Sequence, residues 1–265
     1  MGQITNAFGQ YNEVYALVIR MTSMSPQTFS SDAWTFIQAV NALCTTIGFA
    51  LVAVLFAVGL ITEVQSMTKM TWQTVAKALL ILGIVSSIIS HNMELMTLIY
   101  NFCGGMVNSI GHIGTMDVNN QAQMDAIGKA LDQLSIFGQL QQSTQIGIWV
   151  LIMQLCKILI TVLLYTRMIE IYMRIAFVPL SLAGFATKST QAIARNVLQA
   201  YLAVCLQGAV ILVSLGVYGM IMRATPAPTT DIISNFITTV TSSLVLIVFI
   251  FQSGRWSKSL TGLGG

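Results

Sequence analysis

Charged side chains inside long apolar runs are the residues of this sequence best placed to do chemistry. Lys157 lies near the middle of the apolar run 146–166, and Glu94 lies towards the end of the run 75–102. A charge in the middle of a bilayer costs at least about 2.5–3.5 kcal/mol, so such side chains usually face a cavity, a partner or a pore. Lys157 therefore indicates a lumen or a subunit interface, or else a lysine that snorkels or bonds interhelical carbonyls. A direct pair with Glu94 is disfavoured, because their predicted depths differ by roughly 10 Å.

A second group of charges lies in the stretch 167–195, which is apolar but interrupted. Its marked residues are Arg167, Glu170, Arg174, Pro179, Lys188 and Arg195. The first three stand at i, i+3 and i+7 on one helical stripe. They predict either anchoring at the cytoplasmic interface or a docking surface for a cytoplasmic partner. The proline predicts a helix break, since its ring clashes with the preceding turn and it lacks an N–H.

The other reactive residue types do not form a known catalytic pattern. The chain has 2 histidines and 4 cysteines, and each cysteine lies inside or at the edge of an apolar run. The sequence patterns of zinc proteases, phosphate-binding loops and serine hydrolases do not occur in it. We therefore predict a protein without enzymatic activity, with no catalytic, cofactor-binding or metal-binding residues.

The composition indicates that these charges belong to a membrane protein. Of 265 residues, 55% are hydrophobic and only 8% are charged, whereas soluble domains carry about 25% charged residues. Several apolar runs approach the roughly 20 residues that a helix needs to cross a bilayer. We predict an all-α polytopic membrane protein with five transmembrane helices, a cytoplasmic-side re-entrant or interfacial hairpin, and two external amphipathic helices. The predicted spans are 36–62, 75–102, 146–166, 197–222 and 232–252.

Two polar segments carry apolar residues at helical spacing, which predicts amphipathic helices that offer an apolar face to a partner or to the lipid surface. The residues of these faces are Phe8, Tyr11 and Tyr15 in the first segment, and Ile127, Leu131 and Leu134 in the second. The predicted domains are an external N-terminal helix (1–33), spans one and two (34–102), an external loop with its helix (103–145), spans three to five (146–252) with an inner-side elbow (167–195), and a cytoplasmic tail (253–265).

The distribution of basic residues predicts the orientation. With five spans, Lys69, Lys77, Arg167, Arg174, Lys188, Arg195, Arg255 and Lys258 share one side, and Arg20, Lys129 and Arg223 share the other. By the positive-inside rule the first side is cytoplasmic, so the N-terminus is outside and the C-terminus inside. A sixth span over 171–186 would remove this bias. We therefore interpret that run as an elbow.

The elbow and the apolar run after it resemble a known family. The residues that carry the likeness are Arg174, Pro179, Lys188, Arg195 and the Leu206-Gln207-Gly208 segment within KSTQAIARNVLQAYLAVCLQG. In this pattern the chain resembles the TrbL family, whose best-known member is the sixth VirB protein of type IV secretion systems. That family is a set of bacterial inner-membrane proteins with an outside N-terminus, about five spans and a large external loop.

The resemblance implies a non-enzymatic channel or scaffold subunit that supports DNA or protein translocation and pilus assembly. It implies a homo-oligomeric ring, five-fold in relatives, at the base of a stalk. The implied partners are the lipid bilayer, the stalk's minor pilin subunit, bitopic scaffold proteins, cytoplasmic secretion ATPases, and the translocated DNA–relaxase or protein substrate. No cofactor is implied. The alternatives are a secondary transporter or small-solute channel, and a component of a flagellar-type export apparatus. Only 167–195 is interrupted, which disfavours a transporter with paired broken helices.

Overall fold

The chain is built from long helices. The computed structural model describes residues 13, 16–66, 72–113, 136–224 and 232–262. A helical stretch over 16–23 precedes α1 (Pro26–Phe29), α2 (Ser31–Ser66), α3 (Trp72–Ser90), α4 (Asn92–Ile113), α5 (Ile136–Leu182), a 3-10 turn (Ala183–Ala186), α6 (Gln191–Ala224) and α7 (Ile232–Leu260). The predicted all-α class is therefore confirmed over the described residues. The two predicted amphipathic faces, Phe8, Tyr11, Tyr15, Ile127, Leu131 and Leu134, lie outside those residues.

The helices fall into two compact units. Unit 1 takes its described residues from Met1–Ser23, Gly105–Thr166 and Gln207–Trp256, and unit 2 from Met24–Gly104, Arg167–Leu206 and Ser257–Gly265. Within unit 1, Gln207 on α6 donates to Ser253 on α7, with 3.4 Å between Nε2 and Oγ. Also in unit 1, a side chain at Gly111 would meet Ile19 at 3.1 Å, so α4 and the helical stretch 16–23 pack closely.

Three helices in the described part of the chain are long and apolar enough to cross a membrane. They are Ser31–Thr62, Lys157–Ala186 and Gln191–Ile221, and a bent pair, Val75–Ser90 with Asn92–His112, makes a fourth if it is one span. Predicted spans one and four coincide with the first and third of these segments. The count of five spans is not confirmed. The helix predicted for span five is present as α7, but side chains in its first half lie outside the described residues, so its crossing stays a prediction.

The predicted break at Pro179 is wrong. Helix α5 has 47 residues and runs through Pro179 to Leu182. The apolar segment of this helix is Lys157–Ala186, so it includes most of the run that was interpreted as an elbow. The change of direction is confined to the 3-10 turn and the following residues 187–190, where the chain enters α6. Pro179 cannot bond the backbone carbonyl one turn earlier in α5. Another helix supplies a donor to this carbonyl, as described below, which explains why α5 is unbroken.

Span two differs from its prediction in another way. Helix α3 ends at Ser90, α4 begins at Asn92, and the two are bent by 68° at His91. The apolar runs on the two sides of the bend are separated only by a short polar segment with Ser90, His91, Asn92 and Glu94, so the sequence predicts one span. This bent geometry is that of a broken span or of a re-entrant loop. α4 is also the more amphipathic of the two helices, which is typical of an interfacial helix.

Helix α2 packs against α3 and against the 3-10 turn at the centre of unit 2. A Cβ atom at Gly48 would lie 3.0 Å from the carbonyl oxygen of Pro179, and one at Gly59 would lie 2.8 Å from the Thr187 side chain. The later contact on α2 faces the later residue of the partner segment, since Gly48 faces Pro179 and Gly59 faces Thr187. Helix α2 and the C-terminal part of α5 are therefore parallel. The 3-10 turn then returns the chain, and Gly184 lies against Ala194 at the start of α6. The apolar core includes Ile89, Met96, Tyr100, Met168, Ile171, Ile175, Leu182 and Tyr201.

Gly48 gives a direct test of this packing. The Gly48→Val variant is expected to lose about 1–3 kcal/mol of stability, because its new side chain clashes with the Pro179 backbone. A backbone cannot relieve a clash by changing rotamer, as a side chain can. The matched control is Gly83→Val in α3, since a Cβ atom at Gly83 meets nothing within 4 Å. Both changes carry the same helix-propensity difference, so the difference between their unfolding midpoints in detergent measures the contact. Equal midpoints would contradict the close approach of α2 and α5.

Candidate functional site

A closed ring of hydrogen bonds joins α2, α3 and α4 inside unit 2. The Nδ2 atom of Asn41 donates to Oδ1 of Asn92 at 2.7 Å. The Nδ2 atom of Asn92 donates to the carbonyl of Ile89 at 2.8 Å and to the Thr45 hydroxyl at 3.2 Å. That hydroxyl donates back to Oδ1 of Asn41 at 3.4 Å. Asn41 and Asn92 are both buried. A buried amide is costly unless it is hydrogen-bonded, and here the ring satisfies both amides.

The second donor bond of Asn41 reaches α5. Its Nδ2 atom also lies 2.7 Å from the carbonyl oxygen of Ile175. Ile175 is four residues before Pro179, so its carbonyl is the one that loses its helical donor to the proline. In membrane helices such freed groups are tolerated when a neighbouring helix supplies a replacement bond. Asn41 supplies that bond, which explains why α5 continues through Pro179. We call Asn41, Thr45, Asn92 and the Ile175 carbonyl the asparagine lock.

Arg167 on α5 makes hydrogen bonds to the backbone of α6. Its Nε atom donates to the carbonyl of Val204 at 2.9 Å, and one Nη atom donates to the carbonyl of Cys205 at 3.0 Å. The residue is only 3% exposed. Among the described residues the ion pairs are Lys157–Glu13 and Arg174–Glu170, so the Arg167 guanidinium is held by backbone dipoles. This differs from the predicted interfacial stripe, in which Arg167 would have been exposed beside Glu170 and Arg174.

Three tyrosine hydroxyls make further polar contacts within unit 2. Tyr100 donates to the carbonyl of Met24 at 2.7 Å, and Tyr172 donates to the carbonyl of Pro26 at 2.6 Å. Tyr201 on α6 donates to the carbonyl of Met96 on α4 at 2.9 Å. Tyr100 bonds the short segment before α1, and Tyr172 bonds the first residue of this four-residue helix. Backbone carbonyls at such places need donors from elsewhere. The third bond ties α6 to the helix that follows the bend at His91.

The predicted site residues are distributed between the two units. In unit 1, Nζ of Lys157 forms an ion pair with Oε2 of Glu13 at 2.7 Å, and both side chains are partly exposed. Glu94 lies in unit 2, where it lines a groove between α4 and the start of α2. Glu170 and Arg174 form an i,i+4 pair beside Met173 and Phe177. Lys188 and Arg195 are exposed at and just after the turn into α6.

Sequence reasoning did not single out Asn41 and Asn92. A signal was present, because an asparagine inside a 27-residue apolar run is a buried polar group that needs a partner. Its distant partner, the Ile175 carbonyl, belongs to the backbone and has no sequence signature apart from Pro179 four residues later. Within the described residues, no three His, Cys, Asp or Glu side chains come close enough together to hold a metal ion.

These features define the class of the protein. Long apolar helices, polar groups satisfied inside the bundle, and a large exposed apolar surface are the features of an α-helical membrane protein. The exposed apolar side chains on α2 include Phe36, Leu43, Ile47, Val54, Val58 and Ile61. In water such a surface would be an aggregation site, whereas lipid tails solvate it.

The particular family follows from a comparison of the sequence with family models. The model described as TrbL/VirB6 plasmid conjugal transfer like protein matches residues 12–179, which is more than half of the chain. The chain belongs to this family, and membership makes it a component of conjugal transfer or type IV secretion. No curated protein and no solved structure matches it.

The matched region confirms the family that the resemblance indicated, although it includes only some of the residues that carried the resemblance. It includes α1 to α4, the ring of Asn41, Thr45 and Asn92, and α5 as far as Pro179. Of the residues that first suggested the family, Arg174 and Pro179 lie inside the match, and the segment from Lys188 to Gly208 lies beyond it. The asparagine lock is therefore entirely within the part of the chain that the family model describes.

Proposed function

We propose that this protein is an inner-membrane channel or scaffold subunit of a type IV secretion system, without enzymatic activity, that forms a ring of identical copies. The observation that supports it best is the family match over residues 12–179. In this proposal the ring supports translocation of DNA or protein and assembly of a pilus. Its partners are the minor pilin of the stalk, the bitopic scaffold proteins, the cytoplasmic secretion ATPases and the translocated substrate.

The Glu170–Arg174 pair supports a protein partner on α5. The two side chains are 40% and 24% exposed and lie within the apolar segment Lys157–Ala186. Their exposed surroundings include Met173 and Phe177. Charged groups within membrane spans usually face protein or a water-filled cavity. A pair left half-exposed in a single copy therefore suits a surface that a second copy covers.

The proposed orientation is an external N-terminus and a cytoplasmic C-terminus in a bacterial inner membrane. Lys77, Lys188 and Arg195 support it, because all three are exposed and lie near the same end of unit 2, where α3 begins and α5 turns into α6. Basic residues at one end of a helix bundle favour the cytoplasmic side. In this orientation the segment before α1 and the bend at His91 lie towards the outer side.

Transfer assays test the proposal. A donor strain that lacks the gene is expected to lose conjugal or effector transfer while growing normally, and the wild-type gene is expected to restore it. The double variant Glu170→Arg/Arg174→Glu keeps an i,i+4 pair within α5 but reverses the charges that a second copy would meet. We expect it to be produced at the wild-type level, to lose the ring on gel filtration in detergent, and to fail in transfer.

A different outcome would contradict the proposal. A purified protein that stays a monomer or dimer and binds a small solute would instead support a transporter or solute channel. Full transfer activity in the double variant, together with an intact ring, would show that the Glu170–Arg174 face is not the contact between copies. The control is Asp32→Asn, which removes an exposed charge at the first turn of α2 and is expected to leave transfer unchanged.

A further inference from the structure

A groove of about 680 Å³ lies in unit 2 between α4 and the beginning of α2. Its walls combine an acidic side chain, Glu94, with amide side chains of Gln38 and Asn101 and with apolar surface from Leu98 and Phe102. Leu98 and Phe102 are 67% and 68% exposed. The groove is therefore amphipathic, with one negative charge. Arg and Lys side chains are not part of its lining.

The position of the groove in the membrane follows from the helices that form it. Trp34 of α2 lines the groove, and two residues later the exposed apolar surface of α2 begins at Phe36. Tryptophan rings collect where the hydrocarbon core meets the headgroups. Helix α4 leaves the axis of α3 at 68°. With α3 as a membrane-crossing helix, this angle turns α4 towards the membrane plane, along this boundary. The groove thus lies at the depth of lipid headgroups and is continuous with the lipid-facing side of α2.

The charge of the lining selects among headgroups. Glu94 makes no ion pair with any of the residues that the structure describes. Glu94 is exposed, and its carboxylate attracts an ammonium group and repels a headgroup with net negative charge. The nearby amide N–H groups of Gln38 and Asn101 suit a phosphate oxygen, and Leu98 and Phe102 suit the first methylenes of an acyl chain. A primary ammonium also donates hydrogen bonds to the carboxylate, which a trimethylated ammonium cannot do.

We infer that this groove binds a phospholipid with a primary ammonium headgroup, and that Glu94 holds the ammonium. The site is independent of the proposed secretion function, because it depends only on unit 2 and on the membrane around it. A bound lipid there fills the groove between the beginning of α2 and helix α4. In that case the bilayer surrounds unit 2 as a solvent and also supplies one specifically bound lipid molecule.

Native mass spectrometry of the full-length protein tests the inference. The protein is released from nanodiscs that contain equal amounts of phosphatidylethanolamine, phosphatidylcholine and phosphatidylglycerol, and the lipids that stay bound are counted. We expect about tenfold more retained phosphatidylethanolamine than phosphatidylcholine, because a primary ammonium donates charge-assisted hydrogen bonds to the Glu94 carboxylate and a trimethylated ammonium does not. The Glu94→Gln variant is expected to retain the two equally. Asp32→Asn, which removes a charge outside the groove, is expected to keep the wild-type preference.

Several outcomes would overturn the inference. Equal retention of the two lipids by the wild type, or an unchanged preference in Glu94→Gln, would show that Glu94 does not select a headgroup. Preferred retention of phosphatidylglycerol would show that the groove binds anionic lipid. A photoreactive amino acid at Leu98 is expected to cross-link lipid in intact cells. A cross-link to a polypeptide would assign the groove to a protein partner instead.

Discussion

The Asn41→Leu variant is expected to unfold more readily than the wild type, and the additional change Pro179→Ala is expected to restore the part of the loss that comes from the Ile175 carbonyl. Leucine fills the space of Asn41 but removes the donor to the Ile175 carbonyl, which lies 2.7 Å from Nδ2. A buried carbonyl without a partner costs about 1–3 kcal/mol. Alanine at position 179 has a backbone N–H that bonds this carbonyl within α5. The rescue is therefore expected to come from one atom, the backbone nitrogen of residue 179, which regains its hydrogen.

A double-mutant cycle on the full-length protein in detergent measures the effect. The unfolding free energies of the wild type, Asn41→Leu, Pro179→Ala and the double variant give the coupling energy, which we expect to be about 1–3 kcal/mol in the direction of rescue. Thr46→Val is the control on α2, because the Thr46 hydroxyl bonds only the Ala42 carbonyl one turn earlier. Strictly additive changes would show that Asn41 does not replace the donor that Pro179 lacks.

The Arg167→Ala variant is expected to be among the least stable single variants, with a loss of about 2–5 kcal/mol. The side chain is 3% exposed, so alanine leaves a cavity and also loses the packing of the arginine stem. Arg167→Met keeps most of that volume and removes the buried charge. The Val204 and Cys205 carbonyls lie within α6 and keep their own helical donors. We therefore expect the Met variant to be close to the wild type in stability.

The comparison of the two variants separates packing from charge. Unfolding midpoints in detergent give the stability, and transfer frequency in a complemented strain gives the function. If Arg167→Met is as unstable as Arg167→Ala, the hydrogen bonds to α6 stabilise the protein more than the packing does. If Arg167→Met is stable but inactive in transfer, the positive charge has a role in secretion. Arg167→Lys, which keeps the charge without the planar fork, distinguishes charge from bidentate geometry.

Part of this structure was predictable because it depends on local composition. The long apolar stretches of α2 and α6 exclude a soluble fold, and they agree with predicted spans one and four. The family was also predictable, and the match over residues 12–179 confirms it. Hydropathy did not predict the bend at His91, because the polar segment with Ser90, His91, Asn92 and Glu94 is short and apolar runs continue on both sides of it. There the amide of Asn92 bonds the Ile89 carbonyl, and Asn41 bonds that amide from another helix.

The elbow shows why local rules fail in a bundle. Pro179 predicts a break when its helix is considered alone, because the helix loses one bond and gains a steric clash. The structure keeps the helix because Gly48 allows α2 to approach the Pro179 carbonyl closely and Asn41 replaces the missing donor. Neither residue is near Pro179 in sequence. Arg167 is a similar case, since the positive-inside rule places it at an interface, whereas the carbonyls of α6 bury it.

The asparagine lock has a consequence for synthesis of the chain at the ribosome. Asn41 is made 51 residues before Asn92 and 134 residues before Ile175. Ribosomes synthesise about 5–20 residues per second, so Asn92 is made roughly 3–10 s after Asn41, and Ile175 roughly 7–27 s after it. During that interval α2 holds an amide in an apolar environment with its donors unmet. We therefore expect α2 to α4 to pack together first, and the proline-containing helix α5 to pack against their joined amides after it is made.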